Sequence, residues 1–470
     1  MQHVYNGIRR LFLICFVAAA VCILFAGGML AVVCIAAGVV WLLRRHVVIP
    51  RFTLWLLLGG FALRLMAILV LRPPIISDYL VMLQASQQLL GGDTSFQHWM
   101  YFSLWSYQSV FVVWQTLFLA IWNHVFMLKL VSALLGAGTV CLIYRLARDH
   151  VRESAAQAAA LLLTAFPFAW TLPTILTNQI SSAFFLVLGM WLLLCRDCTR
   201  LGRWRYVLAC IAVQFGNLLR SEGIILVVAA LAYAGFAALR RPQRARRIVC
   251  GGAVLLVLYA ALGVGADAAV RASGLNENGT KNGYPAWKFI TGLNFNTAGS
   301  YSSDDWNALC PTFDDEYRPT AETAAVEHAL LAERLSAGPK ALLLHAVRKM
   351  QFLWCNDALY WAFGHLKLSR SQQLLYDNIQ KADRLLFYGA LLLAVSGLAA
   401  REKRRALEPA ALLPYFVVFA ACCAFLLIEV QPRYAYLPQL FLFCDASLGL
   451  DRLMGKEGEH AEDLDRRALL

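Results

Sequence analysis

Leu71-Arg72-Pro73-Pro74-Ile75-Ile76-Ser77-Asp78-Tyr79 closes the apolar run from Phe52 to Leu71 and sets a carboxylate directly after it. That run is about the length a helix needs to cross a bilayer, roughly 20 residues. Arg72-Pro73-Pro74 ends it, because proline supplies no N–H and disfavours helix in the residue before it. Asp78 is therefore expected at a membrane surface, just ahead of the helical-looking stretch Tyr79 to Leu90. Two readings of Asp78 stay open on the residues alone. It is a helix cap that satisfies free backbone N–H groups, or it is a catalytic carboxylate.

Working outward, the whole chain reads as membrane-embedded. Of its 470 residues 60% are hydrophobic and 15% charged, and the mean hydropathy is +0.59, which describes a polytopic membrane protein rather than a string of soluble domains. The net charge of +13 comes from short basic clusters between apolar spans, where Lys and Arg set orientation, so no nucleic-acid partner is expected. The cysteines lie mostly within apolar spans, where they read as small buried hydrophobes, and show no metal-ligand spacing with histidine.

The basic clusters alternate with the spans. Arg9-Arg10, Arg44-Arg45, Arg145 to Arg152, Arg196 to Arg205, Arg240 to Arg247 and Arg401 to Arg405 read as cytoplasmic. A membrane hairpin is expected within 1–51, and further spans near 52–71, 127–146, 155–172, 180–195, 205–219, 223–239, 248–266, 384–400, 410–428 and 434–450. The expected fold is all-α, with about twelve transmembrane helices and both termini inside. It divides into the hairpin 1–51, a membrane module 52–266 with an external loop at about 72–126, an external polar cap 267–383, C-terminal spans 384–450 and a polar cytoplasmic tail 451–470. The aromatic-rich run from Trp99 to Trp122 is expected to lie at the interface rather than to span, because another crossing would put Arg145 to Arg152 outside.

The order of motifs resembles the GT-C glycosyltransferases that use polyprenyl-phosphate sugars, in particular bacterial relatives of the protein O-mannosyltransferases and of the lipid A aminoarabinose transferases. The resemblance rests on Ser77-Asp78-Tyr79, Trp105-Ser106-Tyr107-Gln108, Tyr144-Arg145-Leu146-Ala147-Arg148, Trp287 to Asn294 with Gly299-Ser300-Tyr301 and Asp304-Asp305, and Glu429-Val430-Gln431-Pro432-Arg433-Tyr434. It covers most of 52–450. The chain departs from the pattern at Tyr79, where many relatives have Glu, and at Ser109, where many have Pro.

The resemblance implies a multi-pass enzyme of the plasma membrane, bacterial in origin. It would transfer a hexose, as a mannosyltransferase does, from a polyprenyl phosphate to a hydroxyl of a glycan, lipid or protein on the non-cytoplasmic face, with inversion. Asp78 would be the base, Arg220, Arg433 and Lys349 would hold the donor phosphate, and Tyr79, Tyr107, Gln108, Glu222, Asn294 and Tyr434 would line the substrate site. Each cation also has a structural reading: Arg220 paired with Glu222, Arg433 with Glu429, Lys349 solvating a helix face. Asp304-Asp305 and Asp314-Asp315-Glu316 carry oxygen ligands that would suit a divalent metal, but without the spacing of a binding loop; they read as solvated surface, and no metal or cofactor is expected. A transporter or flippase for a lipid-linked saccharide, or a polysaccharide polymerase, is the alternative. A transporter would show internal repeats with broken helices and ionisable groups near mid-membrane, and no convincing repeat is visible.

Overall fold

The computed structural model describes residues 48–240, 242–402 and 409–454, together with the isolated Gly38. The expected N-terminal hairpin and C-terminal tail lie almost wholly outside the described residues. Among the described residues the fold is helical, without strands; the only extended pairing is an isolated bridge between Phe313 and Pro319.

Helix α1, Phe52–Val70, is the first apolar run. The external loop follows as α2, Asp78–Leu90, α3, Met100–Leu104, and α4, Ser109–Leu119. With 11 residues at about 1.5 Å each, α4 falls well short of the roughly 30 Å hydrocarbon core. Next come α5, Val125–Arg148, α6, Glu153–Ala165, α7, Pro167–Thr171, α8, Gln179–Leu194, α9, Trp204–Leu219, α10, Gly223–Arg240, and α11, Ala245–Ala272.

The polar cap contains α12, Ala286–Gly292, α13, Ser303–Leu309, α14, Ala321–Ser336, α15, Pro339–Cys355, and α16, Tyr360–Phe363. Helices α17, Arg370–Glu402, α18, Leu413–Leu427, and α19, Tyr436–Leu453, complete the bundle. Each of the ten segments expected as spans after residue 51 is helical. Four of them, α1, α5, α11 and α17, are long and apolar enough to cross a membrane, and α6 with α7, bent by 61°, adds a fifth if taken as one broken span. The expected count of about twelve is not reached by that criterion among the described residues: α8, α10 and α18 are shorter apolar helices, α9 and α19 do not pass, and the two expected N-terminal spans lie outside the described residues.

The bend has an identifiable cause. Pro167 cannot donate to the helix ladder, and the freed N–H of Phe168 is taken up by the Asp383 carboxylate of α17 at 2.8 Å. At the centre of the bundle stands α19. Every residue from Tyr436 to Leu450 is buried, the polar Gln439, Asp445 and Ser447 included, and the helix packs against α5, α6, α17 and α18. Arg64 of α1 also points inward, fully buried, with Nη1 donating to the Gly60 carbonyl at 3.0 Å.

The two external segments cover one end of this bundle together. Asn276 Nδ2 donates to the Phe102 carbonyl at 3.2 Å and to Ser109 Oγ at 3.0 Å, Gly283 N–H donates to the Leu104 carbonyl, and Trp105 stacks on Trp306. At the opposite end the basic turns are tied to acids: Arg145 and Arg148 both reach Asp197, and Arg152 reaches Asp451.

Candidate functional site

A short extended segment, Glu429-Val430-Gln431, enters the site between α18 and α19. Side chains alternate along extended chain, so Glu429, Gln431 and the following Arg433 can act together while Val430 is buried behind them. Two hydrogen bonds to the cap fix the segment: Glu429 N–H to the Lys288 carbonyl and Val430 N–H to the Gly299 carbonyl, both 2.8 Å.

The side chains then sort into pairs. Lys288 Nζ meets Glu429 Oε2 at 2.5 Å, and Gln431 Nε2 donates to Glu429 Oε1 at 3.0 Å. Burial pushes the Glu429 carboxyl up, but the Lys288 ammonium beside it and the donors from Lys288 and Gln431 outweigh this and hold it below its ordinary value. Burial likewise lowers Lys288, and Glu429 more than reverses that. Arg220 pairs with Glu222, donates to Asn178 Oδ1 at 3.2 Å and lies over the Tyr434 ring, 4.7 Å from its centroid.

Arg433 is different. It is buried, Nε donates to Gln431 Oε1 at 2.7 Å, and Nη1 donates to the Tyr79 hydroxyl. Its guanidinium stands 5.3 Å from the Tyr79 ring, 5.1 Å from Trp361 and 5.7 Å from Tyr434. Glu429, the acid expected to pair with it, pairs with Lys288 instead. Among the described residues Arg433 is a buried cation whose hydrogen-bond partners are all neutral.

Asp78 is the first residue of α2, half-buried, and its only hydrogen bond among the described residues comes from the neighbouring Ser77 hydroxyl at 3.5 Å. Ser77, not Asp78, occupies the cap position, and no side chain caps this helix. Asp78 sits close enough to Tyr79, Tyr101 and Arg433 to act on their charge; Tyr101 is pushed up chiefly by burial and next by Asp78. Tyr107 is in the same electrostatic neighbourhood as Lys288, Arg220, Tyr434 and Glu429. Asn178 ties the floor together by donating to Gln108 Oε1 at 3.0 Å and to the Leu219 carbonyl at 2.9 Å. Gln179 Nε2 donates to the Arg433 carbonyl at 2.5 Å.

Of the residues singled out in the sequence, Asp78, Tyr79, Tyr107, Gln108, Arg220, Glu222, Arg433 and Tyr434 converge. Lys349 and Asn294 do not join them. The three donors of the Lys349 ammonium go to the carbonyls of Gly292, Leu426 and Ile428 at 2.7, 3.0 and 2.9 Å. Two of these acceptors belong to the C-terminal end of α18, whose last carbonyls lack helical partners, so Lys349 latches α15 to the approach of the site and has no donor left for a phosphate. Asn294 donates to Asp305 Oδ2 at 2.8 Å, and Asp305 is paired with Arg334 at 2.5 Å, which makes both structural.

Lys288, Gln431, Asn178, Gln179, Tyr101 and Trp361 were not singled out as site residues. The polar triplet Thr177-Asn178-Gln179 ahead of the apolar run at Ile180 was a visible signal. Nothing local marked Trp361.

The archaeal oligosaccharyltransferase AglB from Archaeoglobus fulgidus, solved with an inhibitory peptide and a dolichol-phosphate, is 13% identical, with 89% of this chain aligned to 54% of that one at a TM-score of 0.48. This chain thus spans about half the length of that protein. ArnT from Cupriavidus metallidurans, solved with undecaprenyl phosphate, is 14% identical over 85% of this chain and 77% of its own, at a TM-score of 0.39. No curated protein sequence matches the chain. Residues 107–264, which carry Tyr107, Gln108, Asn178, Arg220 and Glu222, match the family described as dolichyl-phosphate-mannose-protein mannosyltransferase, and the chain resembles the membrane glycosyltransferases that the sequence motifs had indicated.

Proposed function

We propose that this protein transfers a sugar from a polyprenyl-phosphate donor to a hydroxyl acceptor at the non-cytoplasmic surface. The observation that carries the reading is Arg433. A buried cation is costly unless an anion compensates it, and here Glu429 and Glu222 are committed to Lys288 and Arg220, while Asp78 acts on Arg433 without forming an ion pair with it among the described residues. Of the five N–H donors of a guanidinium, Arg433 uses two on neutral partners, so it can offer others to a phosphate in the charge-assisted geometry that arginine favours. The family match over residues 107–264 supports the same donor class.

In the proposed reaction the acceptor oxygen attacks the anomeric carbon as the bond from that carbon to the lipid phosphate breaks. The sugar configuration inverts in this single displacement. The acceptor proton passes to Asp78, and the electron pair of the broken bond stays on the phosphate, where Arg433 stabilises the growing charge. The test is to incubate purified protein in lipid nanodiscs with polyprenyl phosphates carrying different sugars and to measure released polyprenyl phosphate. Acceptor-dependent release with at least one donor is the expected result. Failure to bind or turn over any donor, or sugar-free polyprenyl phosphate, overturns the proposal.

A further inference from the structure

Beside the Arg220 turn lies a cavity of about 260 Å³. Tyr107, Gln214, Asn217, Ser221, Tyr259 and Thr280 supply its polar wall, from α9, α11 and the two external segments. Tyr107 belongs to both places, since it also neighbours Lys288, Arg220 and Glu429. The cavity therefore adjoins the Arg220 side of the site, with Tyr107 and Ser221 in its wall.

Its chemistry is specific in what it presents. Hydroxyls and amides line it, with two phenol rings and no charged side chain. Two ion pairs flank it and each is self-contained: Arg220 with Glu222 on either side of Ser221, and Asp267 with Arg271 at 2.9 Å, where Asp267 is further engaged by the Thr280 N–H. Gln214 is buried, and its Oε1 has no hydrogen-bond partner, which a buried polar atom seldom tolerates. Gly263 keeps the opposite wall open, because a Cβ there would stand 3.2 Å from Gln214 Nε2. The volume lies just below the roughly 300–1,000 Å³ of pockets for drug-sized ligands.

We infer that this cavity binds a single neutral sugar ring, with the Gln214 amide, the Tyr259 hydroxyl and the Asn217 amide as hydrogen-bond partners for its hydroxyls. The inference rests on the proposed glycosyl transfer, which brings sugar rings to this surface: that of the donor and, where the acceptor is a glycan, its terminal residue. A charged sugar is disfavoured, since no side chain of the lining offers an amino or uronic group a counter-charge and the flanking charges are already paired.

The experiment compares wild type, Gln214→Ala and Tyr259→Phe in nanodiscs. It measures binding of sugar-free polyprenyl phosphate, binding of polyprenyl phosphates carrying glucose, mannose, an aminopentose or a uronic acid, and KM for the acceptor. A single lost hydrogen bond to a neutral group corresponds to roughly two- to tenfold in affinity. The expected result is weakening of that size for a neutral-sugar donor, with sugar-free polyprenyl phosphate bound as by wild type, which also shows that the variants are folded. A raised acceptor KM with unchanged donor binding places the acceptor ring in the cavity and equally supports the inference. Variants indistinguishable from wild type on every sugar-bearing ligand overturn it, as does a wild type that prefers the charged sugars. Loss of sugar-free polyprenyl phosphate binding by wild type itself would instead refute the glycosyl-transfer reading.

Discussion

Asp78 and Arg433 are separable by substitution because each differs from its structural alternative in one property. Asn keeps the shape of Asp78, but it cannot take a proton. Asp78→Asn is expected to lower transfer by about 10²- to 10⁴-fold, the usual contribution of a positioned general base, with sugar-free polyprenyl phosphate bound normally. Turnover within a few-fold of wild type would return Asp78 to a first-turn charge that favours the helix N-terminus. For Arg433, lysine keeps the charge and loses the planar fork. Arg433→Lys is expected to weaken donor use by about tenfold or more, on the scale of one charge-assisted hydrogen bond at roughly 1.5–3 kcal/mol. Arg220→Lys should be milder, because Glu222 and Asn178 already occupy that guanidinium. The dependence of initial rate on donor concentration distinguishes the two, and equal effects would remove the special place given to Arg433.

The approach to the site depends on one small device at the level of elements, where α12, α15 and the end of α18 meet. Gly299 has φ of +79°, and a Cβ there would lie 2.7 Å from Lys349 Cε. Gly299→Ala must therefore adopt left-handed backbone, at about 1–2 kcal/mol, and displace the latch as well. Lys349→Met takes the Lys349 donor from the partly buried carbonyls of Leu426 and Ile428 and leaves Gly292 with His345 alone, at up to about 1–3 kcal/mol for each orphaned group. Both variants are expected to unfold at lower temperature in detergent while the surviving folded fraction keeps the wild-type KM for donor. A stable Lys349→Met protein with KM raised tenfold would put Lys349 back among the phosphate-binding cations. This latch also shows why the sequence was only partly legible. Helix positions followed from apolar run length and from proline, so α2 begins at Asp78 and α14 begins right after its cap, Thr320. Arg433 and Tyr79 meet across 354 positions, and Lys349 contacts carbonyls 57 to 79 positions away. No local period encodes such contacts, and a buried lysine and a solvated one look alike in a helix pattern.

At the scale of the whole molecule, the two ends of the bundle have opposite characters. One end carries the interlocked external segments and the candidate site, and the other carries the basic turns at Arg145 to Arg152 and Arg196 to Arg205. The acids that pair with those turns reduce their net charge, but orientation is set by Lys and Arg near the span ends, with acids contributing little. The basic end is therefore expected in the cytoplasm, and the site end on the far side. Single cysteines at Ser303 and Asp315, both exposed on the cap, and at Arg203 and Gln243, both exposed at the basic end, would be introduced into a background lacking the native cysteines. A membrane-impermeant thiol reagent applied to intact cells should label the first two and reach the second two only after lysis. The reverse pattern would place Asp78 and Arg433 in the cytoplasm. Labelling of one cap position without the other would contradict a cap that lies wholly on one side of the membrane.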